Sequence, residues 1–179
     1  MKIHRMPDAT FWQVVEHAHL SGHNESDVYA YMYSYLCRQP PEEVLSYGCT
    51  KARYSILAQN NDIYTAYHII PGGGGYDFFM GFVTWLVYQG QAVYDAVMRD
   101  INALLIFDNN IDVEWREDLP FVEARAYQYI TGEDFGVAVE TRCDPIEVVD
   151  KLKTSLLDPA KFPKQYPELW LKFRGVQGM

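Results

Sequence analysis

The sequence predicts a mainly α-helical fold: a single compact multi-helix domain over residues 1–179, with residues 159–179 as a proline-segmented tail that docks on it. Three observations carry this. Capping residues repeatedly stand just before apolar residues spaced three and four apart. Prolines followed by acids mark helix starts, and glycines mark helix ends. A chain of 179 residues with 49% hydrophobic residues can bury roughly 70% of its unfolded surface and needs neither disulfide nor metal to hold a core.

The elements follow in order. Asp8 opens a first helix with Phe11, Trp12, Val15, Ala18 and His19 on one face, ended by Ser21-Gly22. Asn24 caps a second, with Asp27 three residues on in the manner of a capping box. Within it Tyr29, Tyr31, Tyr33 and Tyr35 alternate, which is a strand signal. The stripe Val28, Met32, Tyr35 and Leu36, with caps on either side, favours helix. Pro40-Pro41-Glu42-Glu43 starts a third helix that runs to about Ala58. Asn61 or Asp62 caps a short fourth, "IYTAYHII". After four glycines, "YDFFMGFVTWLVYQG" is apolar nearly all round and reads as the central buried helix, ended by Gly90. "QAVYDAVMRD" continues as helix. Around Asn109-Asn110 one small β-hairpin is expected near 104–115. Pro120 starts and Gly132 stops a further helix, and Asp144-Pro145 starts a last regular one to about Leu157. Leu169, Trp170 and Phe173 dock the tail.

Charge narrows the function. The net charge of −9 is uneven: residues 1–106 carry −4, residues 107–150 carry −9 and residues 151–179 carry +4. The middle block repels a phosphate backbone, so no nucleic-acid partner is expected. It suits a basic protein partner, whose approach it would accelerate. Homo-oligomers are compatible with the sequence. The start "MKIHRMPDATFW" lacks a signal-peptide core, and the apolar segments are broken well short of a membrane span. The three cysteines, Cys37, Cys49 and Cys143, have no redox or zinc spacing, which predicts a reduced, cytoplasmic protein with no membrane association.

The glycines Gly72–Gly75 raise the question of a phosphate cradle. No Lys or Arg lies between Gly72 and Gly81, no strand precedes the loop, and Asp77 stands where the anion would sit. A flexible connector between buried helices is the expectation, and no cofactor is implied. His17, His19 and His23 cluster at the end of the first helix, but Gly22 interrupts the spacing and no fourth ligand is evident, so no metal is assigned. Cys37 and Cys49 lie in apolar pattern, and Ser34, Ser46 and Ser55 lie mid-helix without a nucleophile-elbow motif. The adjacent carboxylates Glu42-Glu43, Glu117-Asp118 and Glu133-Asp134 point apart on a helix and do not converge.

The segments "FWQVVEHA", "QPPEEVLSY", "IYTAYHIIPGGGGYDFFMGFVTWLVYQGQAVYDAVM" and "WREDLPFVEARAYQYITGED", in that order, resemble a bacterial family called domain of unknown function 4240. The resemblance covers Thr10 to Asp134, and the tail "YPELWLKF" is similar to the family's C-terminal pattern. It implies a bacterial, intracellular, mostly helical domain with no established reaction. The family pattern has Cys, Ser and paired Asp before the central helix, and an Arg two residues before the Trp. Here those places hold Gly74, Gly75, Tyr76, Asp77 and Val83, whereas Asp77, Phe79, Phe82, Trp85, Leu86, Gln89 and Gly90 match.

Three functions stay open. The first is a non-catalytic partner-binding or regulatory domain using the acidic block 107–150. The second is a small enzyme with a His68–Asp77 acid–base pair in an aromatic cleft, for which the candidate residues are Trp12, His68, Asp77, Trp85 and Gln89. The third is a small-molecule binding protein, which needs a cavity of several hundred cubic ångströms, on the order typical of ligand pockets.

Overall fold

The computed structural model describes residues 2–22, 24–108, 118–145 and 158–175. These form helices with no β-sheet; the one extended pairing among them is a parallel bridge between Ile3 and Cys143. The predicted helix from Asp144-Pro145 to Leu157 falls largely outside the described residues, as does His23.

The helix starts follow the expected chemistry with small shifts. α1 (Asp8–Ser21) places Asp8 in its first turn, where a carboxylate meets the positive end of the dipole. α2 (Glu25–Leu36) is capped by Asn24, whose side chain accepts the Asp27 N–H at 3.1 Å. The tyrosines that alternate in sequence therefore stand on a helix, and the i,i+4 pairs Tyr29–Tyr33 and Tyr31–Tyr35 lie nearly parallel. α3 (Pro41–Leu57) begins at the proline pair. α4 (Asn61–Ile69) is capped by Asn60, whose Oδ1 accepts the Ile63 N–H at 3.0 Å, one residue earlier than the sequence suggested. α5 (Tyr76–Tyr88) and α6 (Gln91–Arg99) are separated by Gly90, which adopts φ +89°.

The expected hairpin is not what the described part shows. Ile101–Ile106 form a 3₁₀ helix capped by Asp100, which accepts the Asn102 N–H; Asn109-Asn110 and the residues to 117 lie outside the described residues. A short capping side chain two residues ahead supports a tight helical turn at no cost in apolar contact, so Leu104 reaches the core without a strand. Leu119–Phe121 make another 3₁₀ turn that feeds α7 (Val122–Thr131), ended by left-handed Gly132. α8 (Phe135–Arg142) has Asp134 as its cap. The described part of the tail contains α9 (Phe162–Gln165) and α10 (Pro167–Phe173), each with a proline in its first turn.

One contiguous cluster of buried side chains extends from Ile3 to Phe173 and includes all of Phe79, Phe82, Val83, Leu86 and Val87 from α5. The tail joins it through Phe162, Leu169 and Phe173. Polar bonds fasten it: the Tyr166 hydroxyl donates to Asp62 at 2.6 Å, Lys172 to the Leu105 carbonyl and Arg174 to the His68 carbonyl. Burial and the Asp62 carboxylate push the Tyr166 phenol up to about 12.

The cysteines correct the sequence reading. Cys49, on α3, and Cys143, just past α8, form a disulfide, and Cys37 is the free thiol. They are 94 residues apart, so their spacing in the chain carried no hint of the pairing. The Ile3 bridge, with the Ile3 N–H on the Arg142 carbonyl at 2.7 Å, holds the Cys143 strand segment in place. The argument for a reducing compartment from unpaired cysteines falls with it.

Candidate functional site

The Gly72–Gly75 connector between α4 and α5 is a tightly fitted turn. Gly72, Gly73 and Gly74 all have positive φ. A Cβ on Gly73 would stand 2.2 Å from His68 Nδ1, and one on Gly74 would stand 2.6 Å from the Tyr67 hydroxyl. The Gly73 N–H donates to the Tyr67 carbonyl, and the Tyr67 hydroxyl donates to the Gly75 carbonyl. Glycine is thus required by backbone shape and by close approach of side chains. The turn delivers α5 so that its first residues, Tyr76, Asp77 and Phe78, stand at the mouth of a cavity.

This cavity has a volume of about 710 Å³ and lies between α3, α5 and the Leu119–Glu123 segment. α3 supplies Lys51, Ala52 and Ser55; α5 supplies Met80 and Thr84 from successive turns of one face; Pro120, Phe121 and Glu123 close the third side. Tyr76 is held over one end, its hydroxyl donating to Gln59 Oε1 at 2.9 Å. Tyr76, Phe78 and Phe121 are exposed, unlike most large apolar side chains of the chain.

The floor is polar. Lys51 and Glu123 are buried and paired, with Nζ 2.9 Å from Oε1 and 2.7 Å from Oε2. The third ammonium proton goes to the Pro120 carbonyl at 2.7 Å. Every donor of Lys51 is therefore spent inside the protein. Nearby, the buried Tyr47 and Tyr88 hydroxyls share a 2.7 Å hydrogen bond. Burial first, and then the charge of Glu123, raises Tyr88 well above the usual phenol range; burial, Tyr88 and Glu123 do the same for Tyr47. Ser55 and Thr84 also line the cavity, only 5% and 3% exposed.

Of the five candidate residues, Asp77 lines this cavity and the other four stand elsewhere. Trp12 is buried among Phe11, Tyr54 and Tyr94, with ring centroids 4.6 Å from Tyr54 and 5.3 Å from Tyr94. Its indole N–H is buried without a partner among the described residues. Trp85 stacks on Phe82 and meets Phe107 edge-on. Gln89 donates back to the Trp85 carbonyl at the end of α5. His68, in the last turn of α4, packs edge-on to Tyr64 and Tyr67, and burial lowers its pKa. No hydrogen bond joins His68 to Asp77 among the described residues. No group of three or more His, Cys, Asp or Glu that could hold a metal ion gathers among the described residues.

Sequence reasoning missed Lys51, Glu123 and Thr84, and set Ser55 aside as a mid-helix serine. A signal was present. Lys51 falls in the stripe Val44, Tyr47, Lys51, Tyr54 and Ala58, and Glu123 sits beside Leu119, Val122, Ala126 and Tyr127. A charge within an apolar face is the mark of a buried pair.

No helix among the described residues is long and apolar enough to cross a membrane. No curated protein and no solved structure matches the chain. The family model described as protein of unknown function DUF4240 matches residues 6–136, a span that contains every residue of the cavity, and the chain belongs to that family.

Proposed function

We propose that this is a small-molecule binding domain whose ligand occupies the cavity between α3, α5 and the start of α7. The observation that carries the reading is a space of about 710 Å³, in the range of ligand pockets, with mostly apolar walls and the hydroxyl-bearing side chains of the buried residues Ser55 and Thr84 on its lining. A few polar groups on an otherwise apolar lining fix the orientation of a bound molecule. The Lys51 amine on this lining is fully hydrogen-bonded and is not free to attack.

A protein partner attracted by the acidic block has less support. Residues 109–117 and 146–150 of that block lie outside the described residues. Among the rest, Asp118, Glu123, Glu133 and Asp144 are each paired with a basic side chain of the same chain, namely Arg125, Lys51, Arg142 and Lys2. Charge spent internally steers a partner weakly.

Ligand-observed NMR against a fragment library tests the proposal, with Ala52→Trp as the control that fills the cavity. Saturable binding to the native chain, lost in a folded Ala52→Trp variant, is expected. Absence of any binding that Ala52→Trp removes overturns it.

A further inference from the structure

Resting on that reading of the cavity, we infer that its ligand class is a cationic amphipathic molecule: an organic ammonium on an aromatic or branched apolar body, with a hydrogen-bonding group at the far end. The lining holds three charged side chains, Lys51, Glu123 and Asp77. Lys51 and Glu123 neutralise each other at the floor, with Nζ within 2.9 Å of both carboxylate oxygens. Asp77 remains as an exposed carboxylate at the mouth, in the first turn of α5. An anion entering here would meet that carboxylate and find no free ammonium proton. A cation would gain both its charge and the aromatic rings of Tyr76 and Phe121 on the lining.

Length follows from helix geometry. Asp77 and Thr84 are seven residues apart on α5, two turns or about 10 Å along the axis. A ligand with its ammonium at Asp77 thus places its other end beside Thr84 and, across the cavity on α3, Ser55. Both residues are more than nine-tenths buried and both line the cavity, so this end of the ligand carries a donor or acceptor for their hydroxyls.

Three probes with one ring system separate the possibilities: 5-hydroxytryptamine, neutral 5-hydroxy-3-ethylindole, and 3-(5-hydroxyindol-3-yl)propionate. Calorimetric titration is expected to rank them ammonium, neutral, carboxylate. Asp77→Asn should weaken the ammonium by about 3- to 10-fold, to the level of the neutral probe, and leave the neutral probe unmoved. Thr84→Val and Ser55→Ala should weaken the ammonium and the neutral probe alike. If library fragments bind in the Ala52-dependent manner but the ammonium binds no better than the carboxylate, or Asp77→Asn leaves the ranking intact, the charge inference fails and the cavity reading stands. If nothing binds in a manner that Ala52→Trp removes, both fail.

Discussion

Lys51 of α3 and Glu123 of α7 form a buried ion pair across 72 residues of sequence, 3% and 8% exposed, with the Pro120 carbonyl taking the remaining ammonium proton. Removing one member strands the other charge in the interior. Lys51→Met and Glu123→Leu should each destabilise the fold by about 3–5 kcal/mol, whereas the double variant should recover most of that loss. Urea unfolding of the four chains completes the cycle, and additive single effects would contradict the pairing.

The disulfide between Cys49 and Cys143 closes a loop of 94 residues, and its entropic contribution to stability should be large. Cys49→Ala with Cys143→Ala is expected to cost about 2–5 kcal/mol, and Cys37→Ala to cost much less. Peptide mapping without reductant should recover the Cys49–Cys143 link. A link through Cys37 instead would contradict the arrangement.

Two neighbouring glycines should behave in opposite ways. Gly73→Ala puts a Cβ on left-handed backbone, φ +77°, against the His68 ring, and should cost about 2–3 kcal/mol. Gly75 has φ −69° and nothing closer than 4.0 Å to its missing Cβ. Gly75→Ala should stay within about 0.5 kcal/mol of the native chain, since a small capping loss offsets the entropy gained. Thermal unfolding of the two variants side by side distinguishes shape from flexibility.

His68 gives the fold a pH dependence of definite sign. Burial lowers its pKa in the folded state, so the unfolded chain binds more protons through that window and stability rises with pH. The contribution is fully present above the unfolded value of about 6.5 and is lost as pH falls through the lowered folded value. Urea midpoints measured across this range should flatten in His68→Gln. An unchanged profile in that variant would assign the dependence to another group.

Helix starts were readable because their chemistry is local. Asn24 accepts from a backbone N–H three residues on, and Pro41 needs only its own ring to begin α3. α8 was equally local, with Asp134 bonded to the Val137 N–H, and was overlooked between stronger glycine and proline signals. The cavity was not local. Its walls come from three segments, and the pairing of Lys51 with Glu123 and of Cys49 with Cys143 depends on how α3 meets α7 and α8. His68 drew attention because it neighbours the glycines, yet its ring serves to fit Gly73. The mouth residue Asp77 was visible as the one acid in an apolar stretch.

The cysteine pair also sets the connectivity of the binding walls. Every cavity residue, from Lys51 to Glu123, falls between Cys49 and Cys143 in the chain. The walls therefore belong to one covalently closed ring. A single backbone cut anywhere between the two cysteines would leave one oxidised molecule with both halves of the cavity tethered. Where the cut lies between Lys51 and Glu123, adding reductant would turn the nicked chain into two fragments, each with part of the wall.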